Sequence, residues 1–281
     1  MPNRDLSALP KSNLAIRFLT AGIGGPVILG ILYFGPLWAW FTFIALAAAV
    51  GSFEFFGMTH RGDRVAQTLC ATLVIGVIAV LYRWGMDAKA VLSLLVLLPL
   101  AAILVVLVRL GDITTATLRV AATVFGPLYL GGGLGSLVLL RRDAGADGPG
   151  FVVLTLMLAW LSDTGAYFAG RFLGKHKLYE AVSPKKTVEG ALGGILGGIG
   201  GALLGCFFYL RSLPLIDGIV LAVVGGGLGQ VGDLGESLIK RSVGVKDSGG
   251  IVPGHGGILY RVDALLVTAT ITYLYLLWAR P

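Results

Sequence analysis

The sequence predicts an all-α, polytopic integral membrane protein of about nine transmembrane helices with a cytoplasmic N-terminus. Three observations carry this. Hydrophobic residues make up 56% of the 281-residue chain and charged residues 13%, about half the charged share of a soluble domain. The apolar residues fall in long runs, most of them reaching the ~20 residues that cross ~30 Å of hydrocarbon. Glycine, 43 residues of 281, is about twice its usual share of roughly 7%, and in lipid it lets helices approach closely. A soluble globular protein, a disordered chain and a secreted disulfide scaffold are excluded. Cys70 and Cys206 both lie in apolar runs, so neither a disulfide nor a cysteine metal site is expected.

The runs cover about 14–34, 36–58, 67–82, 90–108, 117–140, 151–170, 190–210, 215–239 and 263–279. Backbone groups in lipid must satisfy one another, and runs this long do so as helices rather than barrel strands. The third run is the shortest. The first has no small-x-small cleavage site and reads as a spanning helix rather than a signal peptide.

Basic residues orient the chain, because Lys and Arg collect in cytoplasmic loops. With the N-terminus inside, the inside loops hold Arg4, Lys11, Arg17, Arg61, Arg64, Arg109, Arg119, Arg171, Lys175, Lys177, Lys185, Lys186, Lys240, Arg241, Lys246 and Arg261. The outside loops hold Arg83, Lys89, Arg141, Arg142, Arg211 and Arg280. Sixteen against six places the C-terminus outside. The net charge of +7 therefore sits at a membrane face, where anionic headgroups or phosphate substrates, not nucleic acid, are the expected partners. Two inside loops, about 171–189 and 240–262, are longer and more basic than the rest. The chain divides into an N-terminal helical region, 1–150, and a C-terminal region, 151–281, that carries the chemistry.

A carboxylate inside a membrane is costly and marks function by default. Glu54, Asp163, Asp233, Glu236 and Asp263 all fall in the cytoplasmic half of their runs. Asp233 and Glu236, at i and i+3, share a helix face that Ser237 and Lys240 extend. Carboxylates beside dense bases suit a metal-bound polyphosphate, since Mg²⁺ takes oxygen ligands and keeps substrate phosphates and water. For Glu54 a structural pairing at a helix end weighs equally. Ser183-Pro184-Lys185-Lys186-Thr187 offers two ammonium groups and two hydroxyls on a stiffened turn. Pro253-Gly254-His255-Gly256-Gly257 lets backbone approach a ligand closely. Two patterns are set aside. Gly227-Leu228-Gly229-Gln230-Val231-Gly232 fits G-x-G-x-x-G but lies inside a spanning run with no preceding strand. Gly193, Gly197, Gly201 and Gly205 form a smooth face for tight helix packing, within the chain or between two copies.

The stretch Ser237-Leu238-Ile239-Lys240-Arg241, Lys246-Asp247, Pro253 to Leu259 and Arg261-Val262-Asp263 resembles the signature of phosphatidate cytidylyltransferases, the CDP-diacylglycerol synthases. Ser162-Asp163-Thr164-Gly165 through Arg171, with Ser183-Pro184-Lys185-Lys186-Thr187 and Glu189-Gly190, resembles the same family. The resemblance implies cytidylyl transfer from CTP to phosphatidic acid at a cytoplasmic-side site in the cell inner membrane, releasing pyrophosphate. It implies a homodimer and Mg²⁺, with a second cation as an alternative stoichiometry. Asp163, Asp233 and Glu236, with Asp247 or Asp263, would hold metal. Asp233, Lys240, Arg241, His255 and Arg261 would serve the chemistry, and Ser183, Lys185, Lys186, Thr187, Ser237 and Lys246 the substrates. Tyr260 stands where the family pattern has aspartate, which implies weaker metal binding and lowered activity unless Asp263 or Asp247 substitutes. Two other readings stay open: a transporter of an anionic or phosphorylated solute, and an impaired variant that still binds nucleotide or lipid.

Overall fold

The computed structural model describes residues 11–245 and 257–279, without the side chains of 11–21, 23, 260 and 261. It is a bundle of long helices, with eight helical spans long and apolar enough to cross a membrane among the described residues. α1 (Lys11–Phe34) precedes that set, with a described apolar part Gly24–Phe34. α2 (Leu37–Thr59), α3 (Arg64–Trp84) and α4 (Ala88–Val108) follow as unbroken rods. α5 (Ala116–Gly126) and α6 (Gly132–Asp143) join through a π turn into one span, Ile113–Asp143. α7 (Gly148–Leu173) leads to a short hairpin, β1 (Lys177–Tyr179) and β2 (Ser183–Thr187). α8 (Val188–Leu204) ends in a second π turn. α9 (Leu215–Leu221) and α10 (Gly227–Ser242) are fused by a third, and α11 (Leu259–Ala279) closes the bundle. The expected apolar runs correspond to these rods, so the all-α polytopic membrane fold stands.

Local chemistry sets the helix ends. The Asp63 carboxylate accepts from Ala66 N at 3.0 Å and opens α3, satisfying one of the donors a helix start leaves orphaned. Thr187 Oγ1 accepts from Gly190 N at 3.1 Å and opens α8. Beyond α10, Gly244 takes a positive φ of 71°, and the N–H groups of Gly244 and Val245 return to the carbonyls of Arg241 and Lys240. A left-handed glycine is the usual way to stop a helix while closing its last carbonyls.

The core runs through both halves of the chain, with Phe55, Phe56, Leu134, Phe151, Leu158 and Leu266 buried together. Trp40 Nε1 donates to the Leu137 carbonyl at 3.1 Å and ties α2 to α6. α4 instead turns Leu92, Leu95, Leu100, Leu104 and Leu107 outward, as a lipid-facing rod does. α8 lies in close contact with α7 because of glycine. A side-chain carbon at Gly197 would strike the Leu161 carbonyl, and one at Gly193 would strike Ala169. The smooth glycine face is thus filled within the chain by α7. The G-x-G-x-x-G segment likewise packs α10 on α11, with Gly229 against Thr268 and Gly232 against Val267.

Because the rods alternate in direction, residues 60–63, 109–112, 174–187 and 243–245 and the start of α11 share one end of the bundle, the loop face. Contacts confirm the grouping. Arg109 pairs with Asp63 at 3.0 Å, and Arg61 donates to the Val243 carbonyl. At the opposite end, Ser212 bonds Asp147 and Tyr275 bonds Asp217, each at 2.5 Å.

Candidate active site

Asp233, Glu236 and Asp263 form the centre. Ligand oxygens of all three lie within 4.8 Å of one another. The first two come from one face of α10, as their spacing predicts. Asp263, half-expected from sequence, arrives from the first turn of α11. Gly232 allows this: a side-chain carbon there would lie 2.8 Å from the Asp263 carbonyl and from Val267 Cγ2. Glu54 fixes the height of α11. Its carboxylate is buried and accepts from Ile258 N at 3.0 Å and Leu259 N at 2.8 Å. Glu54 therefore caps a helix, through backbone N–H groups and not through the Arg or Lys pairing that a structural role at a helix end would suggest.

Three carboxylates this close repel. Two unit charges 4.8 Å apart cost roughly 3.5 kcal/mol at an effective dielectric of about 20. Two lysines offset part of it. Lys240 Nζ donates to Glu236 Oε2 at 2.8 Å, and both residues are buried. Lys186 Nζ lies 2.6 Å from Asp233 Oδ2, aligned as an ion pair rather than a directed hydrogen bond. Among the described residues of the cluster one negative charge remains over, and Glu236 Oε1 is buried without a hydrogen-bond partner among them. An orphaned, buried carboxylate oxygen beside two other carboxylates is the donor set a hard divalent cation takes, so the residues fit Mg²⁺.

The remaining predicted residues fall around this centre. Asp163, on α7, is exposed and lies within electrostatic reach of Asp233, Lys186 and Asp263, outside the tight cluster. Ser237 is half-buried one turn from Asp233, and Arg241 is exposed at the end of α10. Residues 183–187, expected as a loop, form the second strand of a bulged hairpin, Lys177 opposite Thr187 and Tyr179 opposite Ser183. Pro184 is tolerated because a two-stranded hairpin has only edges. Lys185 is exposed, whereas Lys186 is turned to the centre. Thr187 is buried, and its hydroxyl is the α8 cap already described. Glu189 secures the hairpin from below, accepting from the Lys175 and His176 backbones and from His176 Nδ1 at 2.6 Å. Lys246, Asp247 and His255 lie outside the described residues, as do the Tyr260 and Arg261 side chains. Sequence reasoning missed the Lys186–Asp233 pair and the Glu54 cap; no local pattern signals either.

Fold and site together define a class: a multi-spanning membrane protein whose loop-face end holds an acidic, lysine-lined centre suited to a metal-bound phosphate. Comparison with known proteins sharpens it. The pattern of the cytidylyltransferase family matches residues 15–279. A phosphatidate cytidylyltransferase of Synechocystis sp. is 32% identical over 94% of this chain and 97% of its own length. One from Brucella suis biovar 1 is 35% identical over 94% of this chain and 93% of its own. One from Staphylococcus haemolyticus is 43% identical over 43% of this chain. The chain belongs to the cytidylyltransferase family.

Proposed function

We propose that this protein is a phosphatidate cytidylyltransferase, transferring the cytidylyl group of CTP to phosphatidic acid to give CDP-diacylglycerol and pyrophosphate. The observation that carries the reading is the Asp233–Glu236–Asp263 cluster with Lys186 and Lys240, in a chain whose full-length relatives carry that name. The centre lies near the loop ends of its helices; Asp263 is four residues, or ~6 Å, from the start of α11. A site at that depth meets a lipid phosphate and a water-borne nucleotide together, whereas a transport path favours the midplane. The basic bias of the loop face supports reading it as the cytoplasmic side of the cell inner membrane, with the N-terminus inside.

Asp233, Glu236 and Asp263 would hold Mg²⁺, assisted by Asp163 from α7. A cation held by these residues would supply positive charge for the nucleotide's phosphates, the chemistry that attack at the α-phosphorus needs. Lys186 and Lys240 would bind and orient phosphate oxygens, with Lys185 and Arg241 at the mouth. The nucleophile is the phosphatidate phosphate oxygen itself, so no protein nucleophile is required, and the α–β phosphoanhydride bond breaks to release pyrophosphate. Incorporation of radiolabelled CTP into lipid by the purified chain tests the reading. Product formation that requires Mg²⁺ and is lost in Asp233→Asn supports it. Absence of product with phosphatidate, Mg²⁺ and CTP all present would overturn it.

A further inference from the structure

Apart from the carboxylate cluster, the loop face holds a polar cavity. A space of about 350 Å³ opens between the loop ends of α2, α5 and α10. Arg61 and Arg119 line it, and neither pairs with a carboxylate among the described residues. Arg61 spends Nε on the Met58 carbonyl at 3.3 Å and one terminal nitrogen on the Val243 carbonyl, leaving Nη1. Arg119 spends both terminal nitrogens on the carbonyls of Arg109, Leu110 and Asp112. Its Nε is buried without a partner among the described residues, on a residue only 8% exposed.

These carbonyls belong to the C-terminal ends of α2, α4 and α10 and the turns just beyond them, whose partial negative charge helps hold the guanidinium groups. Carbonyl bonds do not cancel a full charge, however. Two acids, Asp63 and Asp112, also line the space. Asp63 is taken by Arg109 at 3.0 Å, and Asp112 is bonded by the Thr114 backbone and hydroxyl at 2.9 and 2.8 Å. With Arg109 included, three cations face two anions among the described residues, which leaves one positive charge over. The rest of the wall is mixed: Met58, Leu118 and Val243 give it an apolar part, and Thr59, His60 and Thr115 are polar. An excess guanidinium charge, two unspent guanidinium nitrogens and a partly apolar wall, where spanning helices reach the headgroup layer, match one ligand chemistry. That chemistry is a phosphate attached to an apolar body.

We propose that this cavity is an anion site distinct from the carboxylate cluster, and that it takes the phosphate headgroup of an anionic lipid. Val243, the residue just past α10, lies seven residues beyond Glu236, or ~10 Å along the helix axis, so a headgroup here would not displace the metal ligands.

The test is equilibrium binding of dioctanoyl phosphatidylglycerol, which is not a substrate of the proposed reaction, to the purified full chain in detergent. Arg61→Gln should weaken binding at least tenfold and leave CTP binding unchanged. Leu118→Trp, which fills the space and leaves both arginines in the sequence, should do the same and keeps the test valid if the arginine variant unfolds. Dioctanoyl phosphatidylcholine should bind at least tenfold more weakly. Inorganic phosphate binding as tightly as the lipid would keep a phosphate site and overturn the lipid source. Equal lipid affinity in the wild type and both variants would overturn the site. A failure to turn over CTP would count against the cytidylyltransferase reading alone, because none of these arms depends on catalysis.

Discussion

Lys186 Nζ sits 2.6 Å from Asp233 Oδ2, so a hairpin strand between α7 and α8 supplies a counter-charge to α10. The ammonium stands beside a carboxylate that a metal would also use. It therefore competes with a bare cation and favours a cation that arrives with phosphates to receive it. Lys186→Gln should raise the affinity for Mn²⁺ alone about tenfold, roughly 1.4 kcal/mol, while lowering CTP affinity. Metal titration by electron paramagnetic resonance, without nucleotide, reads the first effect. Weaker metal binding in the variant would show that Lys186 supports the centre rather than guarding it.

Asp263 supplies the third carboxylate from α11, which bears on Tyr260 and the missing family aspartate. Asp263→Asn and Asp233→Asn should each lower Mg²⁺ affinity at least tenfold, and the double variant should lose less than the sum, because both serve one site. With that set complete, Tyr260→Asp should alter metal affinity less than threefold. A large gain from Tyr260→Asp, measured by calorimetry, would return the decisive ligand to position 260 and restore the expectation of impaired activity.

Gly232 tests the packing behind the centre. A methyl group there meets the Asp263 carbonyl and Val267 Cγ2 at 2.8 Å, and overpacking of this kind costs about 1–3 kcal/mol. Gly232→Ala should lower the melting temperature by several degrees and weaken Mg²⁺ binding together. Gly235→Ala, three residues on, has open space around the new carbon. It should be neutral or stabilising by up to ~1 kcal/mol. Thermal melts of the two variants in one detergent decide the matter.

His60 predicts a pH dependence outside the spanning segments. Burial, reinforced by the Arg119 guanidinium, pulls its imidazole from 6.5 down to about 4. Between those values the unfolded chain takes up a proton that the folded chain refuses. Stability is then complete above about pH 6.5 and declines as pH falls towards about 4. Asp63, held below the usual carboxylate range by Arg109, adds its own loss at lower pH. Melting temperature against pH should thus slope downward on acidification across that window, and His60→Gln should flatten the slope. Equal slopes in the two proteins would contradict the assignment.

Local order was legible from residues because it is written in short-range pattern. Apolar run length named the spans, and the i, i+3 spacing of Asp233 and Glu236 put two carboxylates on one helix face. Four-residue glycine spacing announced a tight seam, although α7 as its filler was not readable. The hairpin at 177–187 escaped notice because its strands are too short for an alternating pattern to emerge, and Lys186 was read only as a member of a basic pair. Thr187 was counted with the substrate residues, although its position just before an apolar run is also a cap signature.

By itself the sequence determined the class of solvent this chain folds in, the positions of its helices and the residue types that carry its chemistry. All three follow from the transfer of side chains and backbone into lipid, residue by residue. Only the tertiary structure decided that Asp263 joins Asp233 and Glu236, that Lys186 answers Asp233, and that Glu54 caps α11 instead of entering the centre. Those choices depend on the height and closeness at which distant helices pack. Packing is set by the sum of many side-chain contacts across the bundle, and no single stretch of sequence contains that sum.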